Sequence, residues 1–317
     1  MGFIGKRLII TLITLFLVSL LSFLAFRLIP GDPALLALGM EATEEQLIAL
    51  RAEMGLDRSL TEQYLAWLSR LFTGRLGESG RFMGVSVSRL ILERLPVTFS
   101  LAGISLIFII LISVPVSLLS VNKENSIVNS IVTTLTAMGI STPGFFMGVA
   151  LIWVFGIVFR VFVPGAYISY TESYSGFIGS LIFPALAIAI PNAALIIKFF
   201  RASLVNELKG DYVRTAKSKG GSRYGILKNH VFKNASLPII TLLGMIVGEI
   251  FSGSIVIEQV FGIPGIGRLL ISSITSRDYP VIETLMIYIA FSVIMANTLA
   301  DISLQIIDPR IRLGKGA

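Results

Sequence analysis

An all-α, polytopic membrane fold with six transmembrane helices is what this 317-residue sequence predicts, and three observations carry it. Hydrophobic residues make up 54% of the chain against 14% charged, and the mean hydropathy is +0.85, more apolar surface than a water-soluble protein can hide. The charges gather at the ends of long uncharged runs. When those runs are threaded alternately through a bilayer, all nine lysines (Lys6, Lys123, Lys198, Lys209, Lys217, Lys219, Lys228, Lys233 and Lys315) fall on one side, the cytosolic side of the lysine-retention rule.

The first uncharged run, residues 8–26, is read as a retained anchor within an N-terminal segment 1–30: no small-residue cleavage site follows it, and it ends in Arg27-Leu-Ile-Pro30. Further runs cover 95–122, 125–159, 173–197, 234–248 continuing past Glu249, and 284–300 continuing past Asp301. A bilayer core takes about 20 apolar residues per helix, so these are six candidate spans. The 125–159 run would be about 50 Å long as one straight helix. It is expected to cross once, broken near Pro143-Gly144 into a short cytosol-side piece and a spanning piece.

With Lys6 and Arg7 inside, six crossings return the tail bearing Arg310, Arg312 and Lys315 to the cytosol, so both termini are expected there. Residues 31–95 are then an external subdomain, whose seven arginines are offset by nine acidic residues. Within it, Thr43-Glu44-Glu45-Gln46 reads as a helix start, with Leu47, Leu50 and Met54 following at helical spacing. A second helix is expected over Leu60 to Leu71. Residues 96–317 form the remaining core, with a cytosolic segment at 201–236.

Composition removes several function classes. The net charge of +7 is concentrated between Lys198 and Lys233 without aromatic interleaving, which speaks against nucleic-acid binding. Cysteine is absent and His230 is the single histidine, so disulfides, iron–sulfur ligation and a cysteine/histidine zinc site are excluded. Ser252 and Ser254 lie in an apolar run, but His230 and every lysine belong to the cytosolic side or its edge; an intramembrane serine hydrolase has no base. No GxxxxGK[ST] phosphate loop is present.

The stretch from Arg201 to Asn234 holds eight lysines and arginines and is too long for a simple turn. In Asp211-Tyr-Val-Arg-Thr-Ala-Lys-Ser-Lys-Gly220, Asp211 can cap a helix start and Gly220 can end the helix. Tyr212 and Val213 offer apolar anchors beside the smooth surface around Ala216. Such a helix can dock in a groove on a partner protein or be held by anionic lipid, and the residues alone leave both open.

That stretch, followed by His230-Val-Phe-Lys-Asn-Ala-Ser-Leu-Pro238, resembles the cytosolic coupling loop of binding-protein-dependent ABC importer permeases of the peptide/nickel group. Four further blocks carry the resemblance in order along nearly the whole chain: Leu28-Ile-Pro-Gly-Asp-Pro-Ala34; Gly139-Ile-Ser-Thr-Pro-Gly-Phe145; Glu258-Gln-Val-Phe-Gly-Ile-Pro-Gly-Ile-Gly-Arg268 with Arg277-Asp-Tyr-Pro280; and Asp308-Pro-Arg-Ile-Arg312. Thr215-Ala216 stands where the general loop motif has glutamate-alanine, as is usual in this group, and Gly74-Arg-Leu-Gly77 has arginine where relatives often carry aspartate.

The resemblance implies a non-catalytic subunit with no cofactor or metal of its own, ATP and Mg²⁺ being bound by two partner ATPase subunits. These would couple through Asp211, Tyr212, Arg214, Thr215, Ala216 and Gly220. A second, homologous permease chain would complete the path, and an extracytoplasmic binding protein would deliver short peptides, or nickel as a small chelate. The setting would be a bacterial or archaeal cytoplasmic membrane. The rival reading is a stand-alone ion-coupled carrier using Glu249, Glu283 or Asp301, for which no internal repeat is evident.

Glu249 is costly in an apolar run and is expected to face a cavity or a partner. Met245, Glu249 and Ser252 share a helix face and are the pathway candidates. Gly244, Gly248 and Ser252 recur every four residues as a close-packing ridge, so a structural role for Glu249 stands beside the pathway role. Glu258, nine positions on, falls on the opposite side.

Overall fold

The computed structural model describes residues 3–27, 33–38, 42–82, 84–122 and 127–307. Most of the Leu28–Ala34 block, residues 123–126 and the Asp308–Arg312 block therefore lie outside the described residues. The elements are all helical: α1 (Phe3–Arg27), α2 (Pro33–Leu38), α3 (Glu44–Met54), α4 (Leu60–Thr73), α5 (Val87–Asn122), α6 (Ile127–Ser141), α7 (Gly144–Leu151, continued as a π-helical stretch Ile152–Val158), α8 (Tyr174–Glu207), α9 (Asp211–Ser218), α10 (Arg223–Ile226, continued as π-helical Leu227–Val231), α11 (Phe232–Phe261), α12 (Ile266–Ser276) and α13 (Tyr279–Ile307). Among the described residues, five helical runs are long and apolar enough to cross a membrane, six when the bent α6–α7 pair is counted as one span.

The break in the third run falls where the sequence places it, with a 107° bend between Ser141 and Gly144. Pro143 has no N–H to continue the ladder and its ring crowds the carbonyl four residues back. The proportions differ from expectation. Ile127–Ser141 and Gly144–Val158 are each 15 residues, about 22 Å, so neither half spans the roughly 30 Å hydrocarbon core alone.

The chain divides into two compact units. The first joins residues up to Thr98 with Pro264–Ser292. Here α3 and α4 start at Thr43 and Ser59, each in a reciprocal capping box with Gln46 and Glu62, and both end on left-handed glycines, Gly55 and Gly74. The capped start at Thr43 and the second helix from Leu60 both match the sequence reading. Phe23 of α1 packs on Tyr64 and Trp67 of α4, and the Tyr64 hydroxyl bonds to Ser19 at 2.7 Å.

The main core of this unit sets Val87, Leu90 and Ile91 of α5 against Ile266 and Leu269 of α12 and Val281 and Leu285 of α13. That apolar face is why α5 begins at Val87, before the uncharged run starts. The charged residues on its outer face are tolerated there, Arg89 and Glu93 pairing at 2.8 Å along the helix.

The second unit joins Phe99–Ile263 with the chain from Val293 onward. Its centre is α8, whose Ala185, Ala187, Ala189, Ala193 and Ala194 are buried. Small residues let helix backbones approach closely where no hydrophobic effect drives them together. A Cβ on Gly139 of α6 would lie 2.7 Å from the Ala194 Cβ, and one on Gly148 of α7 would lie 3.1 Å from the ring of Phe261. Pro184 and Pro191 sit inside α8, where neighbouring helices keep the chain helical.

Candidate functional site

Helix α9, within the 201–236 segment, is a short hairpin tip on a braced base. At the base, the Ser203 hydroxyl of α8 donates to the Ala235 carbonyl of α11 at 2.9 Å, and the rings of Phe200 and Phe232 meet edge to face at 5.6 Å. Between these anchors the chain turns through α9 and α10. Val213 is buried and ties α9 to its own unit. Tyr212 donates its hydroxyl to a Glu207 carboxylate oxygen at 2.7 Å. Desolvation, then this carboxylate, raise the phenol above its ordinary pKa.

Two details depart from the sequence reading. The cap position is Gly210, which has no side chain, so Asp211 does not cap the helix but occupies its first turn, beside Arg214 at 3.6 Å. That pair is exposed and worth little. Val213, expected as an anchor for a partner, is spent inward. What remains outward is Asp211, Tyr212, Arg214 and Thr215, with Ala216 half-buried. Gly220 follows the helix with φ +79°, and nothing lies within 4 Å of where a Cβ would be. The glycine is needed for backbone conformation, not for space. The next residue, Gly221, is there for space: a Cβ would lie 2.9 Å from the Ala216 carbonyl oxygen.

The second feature is a cleft of about 390 Å³ where the α6–α7 break, the Pro191 region of α8 and the middle of α11 come together. Its lining includes Thr142, Pro143, Asn192, Glu249, Gly253 and Val256. Glu249 is exposed in it; its backbone carbonyl accepts the Ser252 hydroxyl at 3.0 Å, and its carboxylate has no hydrogen bond or ion pair among the described residues. Met245, 63% exposed, and Ser252 share its helix face but do not line this cleft. Gly244 and Gly248 face inward as the close-packing ridge requires, a Cβ on Gly248 falling 3.2 Å from Asn297. Ser252 does not belong to that ridge, since it is exposed. Glu258 is fully buried on the other side of α11, as its helical phase requires.

The sequence reading missed Asn192. Its only signal was an amide next to Pro191 inside an otherwise apolar run. Asn192 spends one N–H on the Ile188 carbonyl at 2.9 Å and borders the cleft with the rest of its amide. Asp278, quoted only as part of a motif, was missed in a different way. It is buried, accepts a hydrogen bond from the Ser79 hydroxyl, and takes the Gly80 and Arg81 amides at 3.0 and 3.4 Å.

Comparison with known proteins agrees with this architecture. Residues 109–313 match the family described as binding-protein-dependent transport system inner membrane component, and residues 1–102 match its N-terminal membrane component. The chain is 36% identical over 310 residues to a probable peptide ABC transporter permease protein of Sinorhizobium fredii, covering 98% of this chain and 99% of that protein. It is 37% identical over 311 residues to a putative peptide permease protein of Brucella suis, covering 97% and 98%. An oligopeptide transport system permease protein of Bacillus subtilis is 33% identical over 312 residues, covering 98% and 99%. With both parts of the family matched in order across a helical, multi-pass chain, the protein belongs to the binding-protein-dependent transport system inner membrane components and is the transmembrane permease subunit of an ABC importer.

Proposed function

We propose that this subunit forms half of a translocation path for short peptides, and that α9 is the lever by which a separate ATPase drives it. The observation that carries the reading is α9 itself: a helix fixed from within by Val213, braced at its base, and presenting an outward surface of Asp211, Tyr212, Arg214 and Thr215. A lipid-held basic loop would need neither the brace nor the buried anchor. The relatives' names speak of peptides, and nothing in them favours the nickel chelate.

In this reading Glu249 lines the path. The exposure of its carboxylate in the cleft, with no partner for that carboxylate among the described residues, supports that role over one in helix packing. The partners are a second, homologous permease chain, two ATPase subunits that hold ATP and Mg²⁺, and an extracytoplasmic binding protein. Both termini and α9 lie in the cytosol. Reconstitution with those subunits tests the proposal: tripeptide uptake should require ATP and the binding protein and survive an uncoupler, and a cysteine at Thr215 should crosslink to the ATPase. Uptake abolished by the uncoupler, or no crosslink during active transport, would overturn it.

A further inference from the structure

A second cleft, about 370 Å³, lies between α6 and α8 of the second unit. Lys198 and Arg201 line it from α8, three residues apart and so on one face of that helix. Thr133, Thr136 and Ser141 line it from α6. Lys198 is the first charge after the uncharged run 173–197, so the two cations stand where α8 leaves the hydrocarbon, at the depth of lipid headgroups.

The two cations differ in their surroundings. Lys198 is exposed, and its flexible stem can carry the ammonium to water. Arg201 is half-buried, and its Nε is shielded from solvent with no acceptor among the described residues. Buried guanidinium N–H groups are normally paired, and the planar fork of donors suits a carboxylate or a phosphate.

The cleft itself does not supply that anion. Among the described residues that line it there is no carboxylate. Glu207, the one acidic residue of α8, accepts the Tyr212 hydroxyl at 2.7 Å. The Thr133 and Thr136 hydroxyls donate to carbonyls of their own helix at 2.8 and 2.5 Å and bring no negative charge.

The rest of the lining is largely apolar. Val132, Ala137 and Ile140 of α6 face Ile197 of α8, and the cleft opens outward past Ala137 and Ile140, which are exposed. A free phosphate ion gains nothing from these side chains. A phospholipid uses both parts, its phosphate at the cations and the start of an acyl chain along the apolar wall. Two cations also prefer a headgroup of net negative charge to a zwitterionic one.

We propose that this cleft is a binding site for an anionic phospholipid, its headgroup phosphate held by Lys198 and by the Arg201 guanidinium. The inference stands apart from the peptide reading and adds a lipid ligand close to the base of α9. Ser203, whose hydroxyl braces α8 to α11, lies two residues beyond Arg201.

The test uses the purified importer complex in phosphatidylcholine nanodiscs doped with a phosphatidylglycerol that carries a diazirine on the acyl chain beside its glycerol. Label should map to residues 132–137 of α6 and 197–201 of α8. Unlabelled phosphatidylglycerol should suppress it, and inorganic phosphate should not. Lys198→Gln with Arg201→Gln should lower the yield at this site about tenfold, and Arg201→Lys, which keeps the charge but loses the fork, should lower it less.

Absence of label from this cleft in the wild-type complex, equal labelling by the matching phosphatidylcholine probe, or suppression by inorganic phosphate overturns the lipid site. These wild-type measurements decide the matter whether or not the variants assemble. A double variant that keeps the label but loses a partner chain from the complex also overturns it, assigning the cations to a protein interface.

Discussion

Asp278 holds Gly80: the carboxylate Oδ1 accepts the glycine amide at 3.0 Å across nearly two hundred residues of sequence, while Oδ2 takes the Ser79 hydroxyl and the Arg81 amide. The carboxylate is aimed by the residue before it. Arg277 closes α12 in the left-handed region at φ 54°, a conformation that costs a non-glycine residue of order 1–3 kcal/mol. The loop between α4 and α5 is thus fixed by one buried side chain at a strained helix end. At the other end of α12, the Thr98 hydroxyl accepts the Ile266 amide at 2.9 Å and satisfies one N–H of the helix start.

Removing the clamp should be costly. Asp278→Ala leaves two backbone amides and a hydroxyl without their acceptor, and each such orphan costs about 1–3 kcal/mol. Asp278→Asn keeps an acceptor oxygen and should retain part of the stability. Thermal unfolding of the detergent-solubilised complex ranks them: wild type above Asn above Ala. An Ala variant as stable as wild type would contradict the clamp.

Topology is checked by labelling. A cysteine at Arg75, exposed on the loop after α4, should react with a membrane-impermeant reagent only from outside, and one at Ser222 only from inside. Ser79 would be a poor reporter because it is buried. External labelling at Ser222 would reverse the lysine-based orientation.

Two substitutions in α9 separate folding from coupling. Val213→Asp puts a charge where a buried side chain contributes about 1.5–3 kcal/mol, so the segment should lose its fold and the complex its yield. Ala216→Trp adds bulk at the half-buried edge of the outward face; the complex should assemble, hydrolyse ATP and fail to transport. Coupled transport by the Trp variant would remove α9 as the docking helix. Gly220→Pro should resemble Ala216→Trp, because proline cannot adopt φ +79° and deletes the N–H that bonds to Lys217 at 3.0 Å.

Glu249 should tolerate substitution structurally and not functionally. With no bonded neighbour to orphan among the described residues, Glu249→Ala should assemble at wild-type yield. Glu249→Gln keeps size and hydrogen bonding, and should slow uptake of peptides with a free α-ammonium by about tenfold. Poor yield for Ala together with normal uptake for Gln would return the residue to a packing role.

Much of this was legible because a membrane protein writes its plan in composition. The C-terminal end of α1, the break at Pro143 and the starts of α3 and α4 follow from an uncharged run, a missing N–H and capping residues, all local properties. Where the reading slipped, the deciding contact was distant. Asp211 looked like a cap from its own neighbourhood, but the chain enters the helix one residue earlier, at Gly210, and Val213 found a buried seat within its own unit. The α5 start at Val87 was hidden because charges on one face concealed the apolar face that α12 and α13 cover.

The sequence by itself determined which segments are apolar enough to enter the bilayer and where α6 gives way to α7, because hydropathy and proline geometry act over one or two turns. Only the tertiary structure decided that Glu249 opens into a cleft with Asn192, that the Arg201 Nε is buried with no acceptor among the described residues, and that Asp278 clamps a loop far away in the chain. Those outcomes depend on which helix faces meet, and in a chain so uniformly apolar the meeting faces are chosen by small-residue packing rather than by any hydrophobic periodicity.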